Sequence, residues 1–308
     1  MPNPSDFEAI KRILNQPIGI PTRSEITINW KEYFDNASKG EDMWGHYQTA
    51  NGDPYVVTDG ASNHEGTKTG ADVVRFVHDV LRESAADIKR TEELKKILYA
   101  INTISSKMNK GAYAAIAGIL VRGTTVFSFS AGDVAIIGKK TNGQLIQVLP
   151  LDLNMGRAEA AARAQAEIGT VVNGMEIMEQ NVEQRIHQYM HHGLSNALGI
   201  GDTFLLHEKR FGAKDRSAIL IATDGITDPF MAPQSEAGKI PETGAPKLYE
   251  IINSSNNAQE AAASLGEMIW DTQVKEKIRI KPDDRTGLFI YMNSQEKEYK
   301  KWISEFFD

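Results

Sequence analysis

The sequence predicts an α+β domain, with antiparallel strands layered against paired helices. Three observations carry that prediction. Short β-type runs fill the middle of the chain, separated by turn signals. Amphipathic helical stretches come in pairs before and after them. Strand and helix do not alternate as βαβ units would require of a parallel sheet.

In chain order, DFEAIKRILNQ reads as a short N-terminal helix (about 5–15), capped by Asp6 and carrying Phe7, Ile10, Ile13 and Leu14 as its stripe. PYVVTDG (54–60) reads as a buried strand ending at a turn. Two helices follow, TGADVVRFVHDVLRESA (69–85) and EELKKILYAINTISSKM (92–108), the first with Val73, Val74, Val77, Val80 and Leu81 on one side. AAIAGILV (114–121), TTVFSFS (124–130), DVAIIGK (133–139) and QLIQVLP (144–150) form a meander broken by RG, AGD and TNG. A polar, helix-like stretch at about 152–195 suits a flap over the sheets better than a core. Strands return with DTFLLHE (202–208) and SAILIATDG (217–225). KLYEIINS (247–254) and AQEAAASLGEMIWD (258–271) read as helices, RTGLFIYM (285–292) as a last strand, and residues 295–307 as a closing helix. No boundary divides the chain, so residues 1–308 are expected to form one domain with its core at about 24–292. The scattered Trp30, Trp44, Trp270 and Trp302 are expected in core or edge packing.

Composition closes several routes. Cysteine is absent, which removes disulfides, zinc–thiolate sites and a cysteine nucleophile. A net charge of −7 disfavours broad attraction to nucleic acid or to an anionic membrane. The longest apolar runs fall short of a membrane span, and the N-terminal residues lack the layout of a secretory signal. The expectation is a cytoplasmic, monomeric protein with neither nucleic acid nor membrane as partner. A phosphate loop, a nucleophile elbow and an EF-hand are all missing from the sequence.

What stands out is acid at strand ends. Asp59 follows VVT, Asp133 sits in a turn between strands, Asp224 and Asp228 flank Gly225, and Asp283 with Asp284 precedes the last strand. Glu41 and Asp42 make a further pair shortly before Asp59. Singly, an Asp-Gly dipeptide is a turn, and Asp228 can cap a helix beginning at Pro229. Together, carboxylates at the ends of core strands resist burial unless a hard cation neutralises them. An oxygen-only donor set suits Mg²⁺ or Mn²⁺, and two such ions would polarise a phosphoryl oxygen and supply hydroxide.

The order of these motifs resembles that of the metal-dependent serine/threonine phosphatases of the PPM family (type 2C). The matching segments are GED (40–42), VVTDGAS (56–62), SAGDVAII (130–137), IATDGITD (221–228) and PDDRTGLFI (282–290), with HGLSNALGIGD (192–202) resembling the family's segment around its ALG turn. The resemblance runs from about residue 40 to 292. It implies a four-layer α-β-β-α sandwich of two mainly antiparallel sheets. It also implies hydrolysis of phosphoserine and phosphothreonine in proteins by hydroxide held between two Mn²⁺ or Mg²⁺ ions. Asp59 would bridge the ions and the Gly60 carbonyl would join it. Asp224 and Asp283 would share one ion, Glu41 and Asp42 would reach the other largely through water, and Asp133 and Asp228 would form a third, weaker site. Asp284, where many relatives have Asn, would support the others from behind.

This chain departs from the family pattern at the substrate end. Ala37 stands where the family carries a phosphate-clamping Arg, leaving Lys39 as the nearest cation. Ala61 stands where some relatives have a His proposed as general acid, with His64 three residues on. Val134-Ala135 replaces the usual Ser-Arg after the Gly-Asp turn. Two other functions are therefore kept in view: a catalytically impaired relative that binds a partner, and a phosphatase of small metabolites.

Overall fold

The computed structural model describes residues 26–35, 39–49, 51–62, 69–108, 111–152, 196–230, 246–271 and 283–294, with isolated residues between 161 and 183. The strands are β1 (Ile26–Asp35), β2 (Asp42–His46), β3 (Asp53–Ser62), β4 (Ala112–Arg122), β5 (Thr125–Ala131), β6 (Ala135–Lys140), β7 (Leu145–Gln147), β8 (Val171–Val172), β9 (Met175–Glu176), β10 (His207–Gly212), β11 (Arg216–Ala222) and β12 (Arg285–Ser294). The helices are α1 (Gly70–Ser84), α2 (Thr91–Met108), α3 (Asp224–Phe230), α4 (Pro246–Ser254) and α5 (Ala258–Trp270). One sheet has the order β1-β12-β11-β6-β7 and the other β10-β5-β4-β3-β2, and every pairing in them is antiparallel.

Side-chain alternation along the strands builds the layers. In β3, Tyr55 and Val57 point into a central core with Ala115, Ala117, Ile119 and Val121 of β4 and with Ile219, Ile221, Leu288 and Ile290 of the other sheet. The intervening Val56, Ala114, Ile116 and Leu120 face outward and pack under Val73, Val77 and Leu81 of α1 and Leu94, Ile97 and Ile101 of α2. On the far side, Ala218, Leu220, Phe289 and Tyr291 meet Leu248 and Ile252 of α4 and Ala261, Leu265 and Ile269 of α5. Strands buried on both faces read as continuous apolar runs, which is why 114–121 lacks alternation in sequence. The result is the expected α+β sandwich, with two antiparallel sheets inside and helices outside. Among the described residues, no helix is long and apolar enough to cross a membrane.

Several readings of the chain need correction. β1 and β2 were not predicted as strands, although Ile26, Ile28 and Trp30 of β1 alternate with polar residues; they supply one edge of each sheet, and Trp30 and Trp44, 5.5 Å apart, meet where those edges approach. Trp270, by contrast, is 63% exposed and packs in no core. The strand expected at 202–208 begins only at His207, because the Asn196 side chain engages both the amide and the carbonyl of Leu205 in place of a ladder partner. Within the stretch expected to be helical, Val171–Val172 and Met175–Glu176 pair as strands. The N-terminal helix, the C-terminal helix and most of the flap lie outside the described residues.

The two Asp-Gly turns are not turns. β3 runs on through Asp59-Gly60 to Ser62, with Gly60 opposite Ala114. Gly225 lies inside α3, which begins at Asp224, so Asp228 is a residue of that helix and not the cap of one starting at Pro229. Both glycines are needed for close approach. A Cβ on Gly60 would stand 2.7 Å from the carbonyl carbon of Gly70, and one on Gly225 would stand 2.0 Å from the carbonyl oxygen of Asp284. Gly225→Ala is therefore expected to cost at least about 1–3 kcal/mol, read from the urea midpoint. Gly266→Ala, in α5 with ordinary 3.4 Å contact to Tyr33, is expected to be neutral or to stabilise by up to about 1 kcal/mol.

Candidate metal centre

The strand faces put the acids in one place. Asp59 continues the Tyr55–Val57 series of β3, so it lies on the face between the sheets, at the end of that layer. Asp42 is its direct partner across the β2–β3 ladder. Like charges opposed in this way disfavour the pairing. Asp224 and Asp283 arrive from the other sheet, at the end of β11 and the start of β12, and Asp133 arrives from the turn between β5 and β6. Burial, followed by the charges of Asp42, Asp224, Asp133 and Asp283, holds the Asp59 carboxyl well above the ordinary carboxylate range. Burial also pushes Asp42 up to about 7, against hydrogen bonds from Thr223 and Thr286 and with the charges of Asp284 and Asp224 adding to the rise.

Neighbouring residues hold these acids where they repel. The Asp284 carboxylate, 3% exposed, accepts the backbone amides of Lys39 at 2.9 Å and Glu41 at 2.8 Å. It thereby pins the acidic-pair loop to the start of β12. Asp42 accepts the Thr223 hydroxyl at 2.9 Å, and that hydroxyl takes the Thr286 amide at 3.0 Å. Glu41 accepts the Ser62 hydroxyl and the Gly70 amide at the start of α1, the latter at 3.2 Å. The Gly132–Asp133 turn, with Gly132 at φ +101°, is gripped by Asp152. Asp152 takes the Gly132 amide and the Asn196 side-chain amide at 2.9 Å each, and its other oxygen lies 2.7 Å from His207 Nε2. Asn102 in turn accepts the Gly199 and Gly201 amides, fixing the ALG turn.

The sequence-derived site thus falls into three groups. Asp42, Asp59, Asp133, Asp224 and Asp283 share one electrostatic environment. Glu41 and Gly60 adjoin it through the Gly60 amide, which donates to the Glu41 carbonyl at 3.0 Å. Lys39, expected to face substrate phosphate, places its ammonium 3.6 Å from Asp283. His64, Ala37 and the Asp228 side chain lie outside the described residues. Thr223, Asp152 and Asn196 were missed, although the tripeptide Thr-Asp-Gly occurs twice, at 58–60 and 223–225, and marked Thr223.

Carboxylates crowded closely enough to raise the proton affinity of Asp42 and Asp59 are the donor chemistry of a hard divalent cation. The residues fit such an ion, although among the described residues no three acidic or histidine side chains are already drawn together around a point. A cation would have to pull them inward. In chelator-treated protein, Asp42→Asn is expected to melt higher than wild type, because it removes a buried charge facing Asp59. Asp42 is raised in the folded state to about 7, so its contribution is present at acid pH and lost as pH rises from the ordinary carboxylate value through that pKa. The variant's advantage should be near zero at about pH 4 and roughly 5–10 °C by about pH 8, measured by scanning calorimetry. A pH-independent advantage, or one confined to acid, would contradict this assignment.

No family model and no curated protein matches the sequence. Solved structures do match its fold. A serine/threonine phosphatase from Staphylococcus aureus aligns over 91% of this chain and 99% of its own, with a TM-score of 0.59 at 13% identity. PppA from Pseudomonas aeruginosa aligns over 86% and 98%, at 0.56 and 16%. The catalytic domain of the serine/threonine phosphatase PstP, solved with two manganese ions, aligns over 87% and 99%, at 0.55 and 16%. At such identities the likeness is one of architecture: this chain has the fold of the PPM-type serine/threonine phosphatases.

Proposed function

We propose that this chain is a metal-dependent phosphatase of phosphoserine and phosphothreonine in proteins. The observation that carries the reading is Asp59, held at the end of the inter-sheet layer against the charges of four other aspartates. The fold is shared with phosphatases, and one of them binds two manganese ions. Asp59 would serve both ions of a two-ion site, with the Gly60 carbonyl a further ligand; Asp224 and Asp283 would hold one ion, and Glu41 and Asp42 would reach the other largely through water. Asp133 and Asp228 would form an outer third site. Two Mn²⁺ or Mg²⁺ ions there would supply a hydroxide nucleophile and neutralise phosphoryl charge.

The chain's own residues would do the positioning. Asp284 and Thr223 fix the acidic pair and hold Asp42 across from Asp59. Lys39, on an exposed loop beside Asp283, would approach a phosphate bound there as a point charge. His64 is the candidate for protonating the leaving alkoxide.

A second reading, a binding module with impaired catalysis, is favoured by one observation. Val134, where the family pattern has a polar residue, is fully buried in the core between the sheets. The residues after the Gly-Asp turn therefore serve packing and present no polar group to substrate. The two readings separate in one assay. Purified protein is expected to hydrolyse p-nitrophenyl phosphate and a phosphothreonine peptide with added Mn²⁺ and to stop on chelation. Asp59→Asn and Asp224→Asn should each lower the rate by at least about a hundredfold. Mn²⁺ binding without hydrolysis selects the binding module, and near-wild-type rates in either variant refute the phosphatase. Faster turnover of sugar phosphates than of the peptide would move the substrate class to small metabolites.

A further inference from the structure

A buried polar chain lies on the other face of the β2–β3 hairpin, away from the carboxylates. It joins Tyr47, His78 and Thr58, which are 6%, 1% and 0% exposed. The inventory of donors sets its direction. Thr58 has one hydroxyl proton, which goes to the Met43 carbonyl at 3.2 Å. The 2.9 Å contact between Thr58 Oγ1 and His78 Nε2 must then be donated by the ring. Nδ1 is left as an acceptor, and the Tyr47 hydroxyl donates to it. Three hydrogen bonds thus run from Tyr47 through His78 and Thr58 to the backbone of β2, one residue from Asp42.

That stretch of β2 needs holding. It is an edge strand of five residues, and its register sets Asp42 against Asp59. A slip of one residue would relieve the repulsion and turn Asp42 to the helix face. The neighbourhood is shaped around the chain of bonds. A Cβ on Gly45 would stand 2.3 Å from the Tyr47 hydroxyl oxygen and 2.9 Å from His78 Nδ1. We infer that His78 is a positioning residue that locks the register of β2 on β3 and so keeps Asp42 across from Asp59. Burial, with the Arg82 charge adding, pushes the His78 pKa down to about 3, so the neutral donor–acceptor pattern persists at physiological pH. The consequence for a cation rests on the proposed role of Asp42 and Asp59; the lock itself does not.

The test uses the full chain, free of metal, with amide hydrogen exchange resolved along the sequence. In His78→Leu, amides of residues 43–47 are expected to exchange roughly tenfold faster relative to those of β4 and β11, one buried hydrogen bond's worth of local stability. His78→Gln, which keeps a donor toward Thr58, should recover part of that protection. Tyr47→Phe, which keeps the ring, supplies the readout if His78→Leu does not fold. Equal acceleration in all strands, or none, would overturn the lock. Calorimetric titration with Mn²⁺ then reads the consequence: affinity about tenfold weaker in His78→Leu, the lower end of what lost support costs a metal site. Unchanged affinity with weakened β2 would overturn the positioning role. Absence of Mn²⁺ binding in wild type would dispose of the cation reading instead, leaving hydrogen exchange to decide the lock.

Discussion

Repulsion between Asp42 and Asp59, set face to face across two adjoining strands, is the constraint around which this end of the molecule is built. Left to itself the pairing would slip or splay. It is held instead by hydrogen bonds from groups that are themselves fixed. Asp284 grips the loop before β2, Thr223 grips Asp42, and Glu41 is tied to Ser62 and the first turn of α1. Proteins retain such arrangements where function requires them, because strain of this kind lowers stability in the absence of a ligand.

Assembly of the site demands the whole chain. The contact between Glu41 and Asp284 spans 243 residues, and Asp59 and Asp224 come from different sheets. Two backbone approaches make this possible, Gly60 against Gly70 and Gly225 against Asp284, and neither leaves room for a side chain. The carboxylates can therefore converge only after both sheets have formed and packed. The two layers set the positions of Asp59 and Asp224, from which a cation would have to draw them together.

Much of the fold was legible because the physics behind it is periodic. The α1 stripe of Val73, Val74, Val77, Val80 and Leu81, and the meander from 114 to 150, appear in the structure nearly as the sequence implied. β1 carried a signal that went unread, the alternation of Ile26, Ile28 and Trp30 with polar residues, whereas the five residues of β2 are too short and mixed to show one. The acids stood out together in the sequence through motif order, and Asp284 with them as a support, while Thr223, Asp152 and Asn196 did not. Asp152 and Asn196 look like loop residues until the fold brings them to the Gly132 turn and to Leu205. Gly60 and Gly225 were read correctly as special and for the wrong reason, since a close approach leaves the same letter in the sequence as a turn. The short β8–β9 pair carried a signal that went unread, the Asn-Gly dipeptide at 173–174.

The central claim is that these carboxylates tolerate one another because they share a divalent cation. Anomalous diffraction at the manganese edge, from crystals grown with Mn²⁺, tests it most directly. The account predicts anomalous density enclosed by Asp59, Asp224 and Asp283, with the three carboxylates drawn toward it and a second peak on the side of Glu41 and Asp42. Crystals that diffract well yet show no anomalous density among those residues, with the carboxylates left apart, would contradict it.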